Sequence, residues 1–420
     1  MGSINKLQYL LAGAAIAIAC SQASAADLTI GFLSSQKPGA FSDVIASFEK
    51  ANPGIKVQAQ YIPFDQLNAQ VQARLGSGDT SVDVYTVDEP RVPYYAHRGF
   101  LMDLSEHRGE IEAAANAAPI AGASYDGKIW AFPFWTTAQF LFYNKDLLDK
   151  AGLPEPSGDP AKRLTWEEVL PNAKKAQEAG AKWGFAFDQN DRYYEVQPLY
   201  ESLGYGPGLK GDKLLEPALT SDGWVKTTDW YRNLYASGLA PRGVTYEQMP
   251  ALFSSGQLAY MVGGVWHARS FRNAEGLNFG IAAMPYFKDG KPVTPTGSWT
   301  IGVNPKSTKK DAALAFAKYL TLNSEGALQA STVAPQPPAN KSAFEAYLKR
   351  ESEAGKTPGF GEIVRYDLAN TAVNRPRTIG YVVFEENMNK TFSDIRNGAE
   401  AKPSLERAEG VLRAGFGRLN

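Results

Sequence analysis

The chain has 420 residues, with 43 Lys and Arg against 44 Asp and Glu, and one cysteine. Such a length holds an ample hydrophobic core and suggests two domains. The near-zero charge, without a run of one sign, argues against nucleic-acid binding, whose phosphate contacts need clustered cations, and one Cys excludes an internal disulfide.

Met1–Ala25 reads as a secretion leader. Lys6 supplies the positive start, Tyr9–Ala19 an apolar stretch too short to span a bilayer, and Ala23-Ser24-Ala25 a small-residue cleavage signal. Cleavage there starts the mature chain at Ala26, removes Cys20 and leaves 42 basic against 44 acidic residues, a charge of −2. Cys20 is a competing site, where an attached lipid would tether the chain, although a lipobox usually carries Leu where Ala17 stands. Export confines the function to secreted enzymes, structural proteins and solute-capturing proteins, and a periplasmic location is expected.

The first hundred mature residues alternate strand and helix. Leu28–Leu33 reads as a strand. Phe41, Val44, Ile45 and Phe48 share one helical face. Ile55, Val57, Ala59 and Tyr61 alternate as a strand, Leu67, Val71 and Leu75 mark a helix, and Val82–Val87 is a third strand. This βαβαβ order predicts a parallel sheet with right-handed crossovers. Ligands of open parallel sheets sit beyond the carboxyl ends of the strands, which here carry Ser34-Ser35-Gln36, Phe64-Asp65 and Asp88-Glu89. Asp65 also reads as the N-cap of the helix that follows it, and Asp88-Glu89, before Pro90, as a turn.

Asp126-Gly127 signals a hairpin turn, and Thr165-Trp166-Glu167-Glu168 a capping box. Trp183–Phe187, Leu258–Val262 and Thr300–Val303 read as strands. Ser221–Tyr235, Tyr246–Phe253, Lys309–Leu320 and most of the tail from Phe344 read as helices. Gly206-Pro207-Gly208-Leu209-Lys210-Gly211 matches a dinucleotide motif literally, but it follows no clear strand and reads as a loop. The three His (His97, His107, His267) are scattered, so no metal site and no cofactor is implied.

Several segments together resemble the extracellular solute-binding proteins of sugar-importing ABC transporters (solute-binding protein family 1, which includes maltose-binding protein). They are Phe48–Val57, Val82–Tyr85, Tyr125–Pro133 with Phe142–Leu148, Thr165–Glu168, Gly256–Met261 with Gly264 and Trp266, and Met284-Pro285 with Thr296–Trp299. The resemblance implies a two-lobed α/β fold of the class II periplasmic-binding type, each lobe a mixed, mainly parallel sheet flanked by helices. Residues 26–137 plus about 294–342 would form lobe 1, and about 138–293 plus 343–420 lobe 2. The chain would cross near Phe134–Leu141 and return near Lys291–Thr296, and the ligand would lie in the cleft, held by hinge closure.

Sugar recognition needs planar polar groups for hydroxyls and an aromatic plane for the ring's C–H face. The resemblance places Trp135, Trp266 and Trp299 at the cleft; each is alternatively plain core. Gly264 before Trp266 lets backbone approach a ligand, and His267 lies beside it. Thr136, Asp188, Tyr193, Tyr194 and Ser298 complete the candidates with Ser35, Gln36, Asp65, Asp88 and Glu89. Arg375 is either a clamp for an anionic group or the partner of a structural Asp.

The expected function is capture of a sugar or sugar derivative in the periplasm by a monomer, without catalysis, and its delivery to ABC permease subunits. Two alternatives stay open. One is a ligand that is an anionic sugar derivative (a sugar acid, a sulfo-sugar or a glycerol-phosphate type). The other is a secreted glycoside hydrolase using two carboxylates such as Asp65 and Asp88.

Overall fold

A computed structural model describes residues 28–419. The leader and Cys20 lie outside the described residues. Eleven strands position the site: β1 (Leu28–Ser34), β2 (Ile55–Tyr61), β3 (Val84–Asp88), β4 (Phe132–Trp135), β5 (Gln139–Asn144), β6 (Trp183–Phe187), β7 (Leu258–Gly264), β8 (Phe279–Ala283), β9 (Thr294–Thr296), β10 (Trp299–Val303) and β11 (Ala372–Asn374).

The first sheet has the order β2-β1-β3-β10-β4. β1 runs parallel to β2 and to β3, as the alternating strands and helices require, while β10 is antiparallel to β3 and to β4. The helix Ser42–Ala51 buries Val44 and Phe48 and the helix Phe64–Gly76 buries Leu67, Val71 and Leu75, the spacings read from the sequence. The second sheet has the order β8-β5-β7-β6, and only its β6–β7 pairing is parallel. Both sheets are thus mixed, with parallel pairing at β1–β2, β1–β3 and β6–β7, and β9 and β11 form a further parallel pair. The cause lies in the connection, because β5 follows β4 after three residues and enters as a central strand antiparallel to both neighbours.

β5 is buried along its whole length. Leu141 and Tyr143 face one core, shared with the helices Trp166–Glu178, Tyr193–Ser202, Tyr381–Arg396 and Ala401–Phe416. Phe140 and Phe142 face another, shared with the helices Ala268–Asn273, Lys341–Glu353 and Phe360–Asn370. A separate core fills the first lobe, from Ile30 to Ala334.

Three chain segments pass side by side between the sheets. Thr136–Ala138 joins β4 to β5, Gly297-Ser298 joins β9 to β10, and Pro335–Asn340 leads into the helix Lys341–Glu353. Thr136 N donates to Pro337 O (2.8 Å), and Thr296 Oγ1 to Thr137 O (2.8 Å). The Asp126-Gly127 turn has both residues at positive φ (50° and 73°) between two-residue strands, and Thr165 and Glu168 form the capping box. The glycine-rich stretch at 206–211 follows a helix, Tyr193–Ser202, and opens no other, so no phosphate cradle forms there.

Candidate functional site

The strands β1, β3, β6 and β7 all end where the two lobes face each other, and the candidate residues follow those ends. On the second lobe, β7 closes with Gly264 and turns into the single 3₁₀ turn Val265–His267. The Trp266 ring lies back over Gly264: a Cβ added there would come 2.0 Å from the indole. A glycine is therefore required for Trp266 to lie flat at the strand end. Tyr194 (ring centroids 6.4 Å) and His267 (5.7 Å) flank the indole.

Beneath them Asp188, which follows β6, is fully buried, with Oδ2 2.7 Å from His267 Nε2. The Trp266 Nε1–H points at the same Nε2, at 2.9 Å. One imidazole nitrogen cannot both accept from the indole and donate to the carboxylate. Glu195, also fully buried, accepts from Gln139 Nε2 at 2.7 Å. Burial, reinforced by the Asp188 charge, pushes the Glu195 carboxyl well above the ordinary range. Asp188 Oδ1, Glu195 Oε1 and Gln139 Oε1 are buried without a hydrogen-bond partner.

At the pivot, Arg375 follows β11 and grips Asp88, at the end of β3, with both guanidinium nitrogens (2.8 and 2.5 Å). Its guanidinium also stacks 4.9 Å from the Tyr194 ring. Arg91 pairs with Glu385, and Tyr381 donates to Glu385 (2.9 Å). Burial pushes the Glu385 carboxyl up, but Arg91 and Arg375 outweigh it and hold the group below its usual range. Of the two readings of Arg375, the structure places it with Asp88.

Glu89 is 5% exposed, exchanges hydrogen bonds with the Ser298 backbone, and lies against Gly122. Burial pushes its carboxyl up to about 7, although Arg375 and Arg377 pull the other way. The folded protein thus holds a proton that the unfolded chain has released between about pH 4.5 and 7, and stability falls as the pH rises through that window. The loss is on the order of 3 kcal/mol from this group. Replacing Glu89→Gln should flatten that part of the thermal-melting profile and raise the melting temperature at pH 8. Unchanged melting at pH 8 would reject this account.

The other expected residues fall in three places. Ser35 and Gln36 sit half-buried just past β1. Thr136 lies in the hinge, its hydroxyl 3.2 Å from that of Thr296. Trp135 and Trp299 are 2% and 8% exposed and belong to the first-lobe core, where Trp135 stacks on Phe134 (4.0 Å) and its Nε1 has no partner. Tyr193 is fully buried against Phe384 (4.7 Å). Ser298 Oγ donates to Gln336, on the third connecting segment.

Asp65 is not an N-cap. Pro63 takes that position and the helix starts at Phe64, because proline favours the φ of a helix entry. The Asp65 carboxylate instead pairs with Arg192 of the other lobe. Arg192 lies between two rings, 4.7 Å from Phe64 and 5.8 Å from Tyr246, and Phe64 in turn touches Trp299 edge-on (5.9 Å). This clasp at the cleft mouth and the Gln139–Glu195 pair were not among the candidates. Arg192 carries no signal of its own in the sequence. Gln139 does: it is a polar residue directly before the apolar run Phe140–Phe142.

The family model for bacterial extracellular solute-binding proteins matches residues 34–327. A galactooligosaccharide-binding protein of Bacillus subtilis (strain 168) is 27% identical over 293 residues, 68% of this chain and 66% of that protein. A mannitol-binding protein of Pseudomonas aeruginosa is 24% identical over 82% of this chain and 81% of its own. Among solved structures, an ABC substrate-binding protein from Listeria monocytogenes in complex with cycloalternan superposes with a TM-score of 0.81 at 25% identity, covering 93% of this chain and 99% of the other. Two lobes with separate cores, joined by three adjacent segments around a polar and aromatic cleft, agree with the family match over most of the sequence, and the chain belongs to the bacterial extracellular solute-binding proteins.

Proposed function

We propose that the protein captures a neutral, hydroxyl-rich ligand, a sugar or polyol, between its lobes in the periplasm and delivers it to the permease of an ABC importer. The carrying observation is the set of unmatched polar atoms around Trp266. Three buried acceptors, on Asp188, Glu195 and Gln139, have no partner, and one imidazole nitrogen is claimed twice. A hydroxyl both donates and accepts, so a ligand with several hydroxyls suits this mixture, and the Trp266 face suits the C–H side of a sugar ring. The ligands in the names of the relatives, an oligosaccharide and a sugar alcohol, agree.

An anionic ligand fits less well. Arg91, Arg192 and Arg375 are each paired with a carboxylate. The same pairs tie up Asp65 and Asp88, the two carboxylates a hydrolase would need for acid and base, which favours binding without turnover. The lobes we assign, 26–137 plus about 294–342 and about 138–293 plus 343–420, would move about the connecting segments as the cleft opens.

The test is a thermal-shift screen against mono- and oligosaccharides, sugar alcohols and acidic sugars. A true ligand at 100 times its Kd adds about 2.7 kcal/mol of stability. Stabilisation by acidic sugars alone would refute the neutral reading, and no stabilisation by any of them would refute the whole proposal.

A further inference from the structure

Away from the cleft, the second lobe carries a cavity of about 380 Å³ whose charged lining is Arg269, Arg272, Arg350, Lys356 and Glu351. Four cations face one carboxylate. Glu351 is buried, with 2% of its side chain exposed, and is shared out: Arg272 pairs with Oε2, Arg350 Nε donates to Oε1 (3.0 Å), and Arg269 lies 3.9 Å away. One carboxylate cannot saturate three guanidinium forks of five donors each.

The cations are held together against their mutual repulsion. Arg272 stacks over Phe360 (6.0 Å) and donates to Thr357 Oγ1 (2.9 Å), and Arg350 stacks over Tyr347 (5.3 Å). Lys356 brings its ammonium to Arg272 O (3.0 Å) from a left-handed backbone, φ 57°, which a non-glycine residue rarely adopts. Local strain and like charge brought to one place mark a site poised for an occupant.

We propose that this cavity binds a small soluble oxyanion: a phosphate, or a compact molecule carrying one. Guanidinium forks match oxyanion geometry two bonds at a time, and a net charge of three positives offsets a dianion with one to spare. The volume falls within the range of small-molecule sites, larger than bare phosphate requires.

Occupancy would be felt in the cleft. Arg269 donates to Thr332 O (2.6 Å) and Arg350 to Ser331 Oγ (3.2 Å), at the end of the first-lobe helix Ser324–Ala330. The helix Ala268–Asn273, which carries Arg269 and Arg272, begins directly after Trp266 and His267. An anion drawing these two arginines inward loosens their links to the other lobe.

The experiment is a titration of the mature protein with inorganic phosphate at constant ionic strength, read by calorimetry and by melting temperature. Saturable binding is expected. It should weaken at least roughly tenfold in Arg350→Gln and in Lys356→Gln, the loss of one charge-assisted contact. Lys356 is exposed at the rim, so melting of Lys356→Gln without phosphate should match the parent and separates loss of binding from loss of fold; Arg350→Gln also removes a partner of the buried Glu351 and is expected to melt lower. No saturable binding, or equal binding in both variants, overturns the proposal. So does co-sedimentation with phosphatidylglycerol vesicles that the variants lose while free phosphate has no effect, because the site would then read a lipid headgroup.

Discussion

Replacing Arg375→Leu should cost about 3–5 kcal/mol of folding stability, the usual penalty when one partner of a buried ion pair is removed. The variant leaves Asp88 and Glu385 under the lobe interface with Arg91 alone to neutralise both. The pair sits at the pivot. Asp88 is registered with Trp299, Asn374 is registered with Thr296, and only Gly297-Ser298 separates the two strands. The contact therefore lies next to the connecting segments. The double variant Asp88→Asn with Arg375→Leu should recover part of the loss, because no charge is then stranded. Urea unfolding of the three proteins decides the matter. A single-variant loss below about 1 kcal/mol would mean that the pair is hydrated and of little weight.

The second large effect falls on ligand binding. Truncating Trp266→Ala should weaken the sugar or polyol found in the screen by about 30- to 1,000-fold, the range of about 2–4 kcal/mol seen when an aromatic anchor is removed from a desolvated contact. Gly264→Ala should act in the same direction without touching the indole chemically, since its methyl group would displace the ring that now lies over the strand. Trp135→Phe is the control: that ring is enclosed in the first-lobe core, so the change should alter melting more than affinity. If Trp135→Phe abolishes binding while Trp266→Ala leaves it intact, the platform has been assigned to the wrong ring.

Local features were legible in the sequence because their causes are local. The Asp126-Gly127 turn, the Thr165–Glu168 capping box and the helical face of Val44 and Phe48 each depend on residues within one or two turns of chain. The strand-end rule pointed to Asp88 because it rests on sheet topology, which strand order reveals, whereas Asp188, Trp266 and His267 were candidates only beside the family resemblance. Charge pairing was not legible. Asp65 and Arg192 are 127 residues apart and Asp88 and Arg375 are 287 apart, and no periodicity links them. The tryptophans were ambiguous for another reason. A strand covered on both faces buries every side chain, as β4 does, so alternation cannot separate a ring in the core from one at the cleft.

The order of strands in the first sheet has a consequence for how the chain acquires its structure. β10 lies between β3 and β4, yet more than a hundred residues, including all four strands of the second sheet, separate β4 from β10 in sequence. Until that later segment is available, β3 presents an open edge and the first-lobe core lacks the helix Lys310–Thr321, which supplies Phe316 and Leu320. The amino-terminal lobe cannot finish first, as domains usually do during synthesis, and both lobes reach completion together through contacts of long sequence separation, which are slow to form. Such a chain stays unfolded for longer, the state in which it can be threaded through a membrane but also the one in which it is most exposed to aggregation.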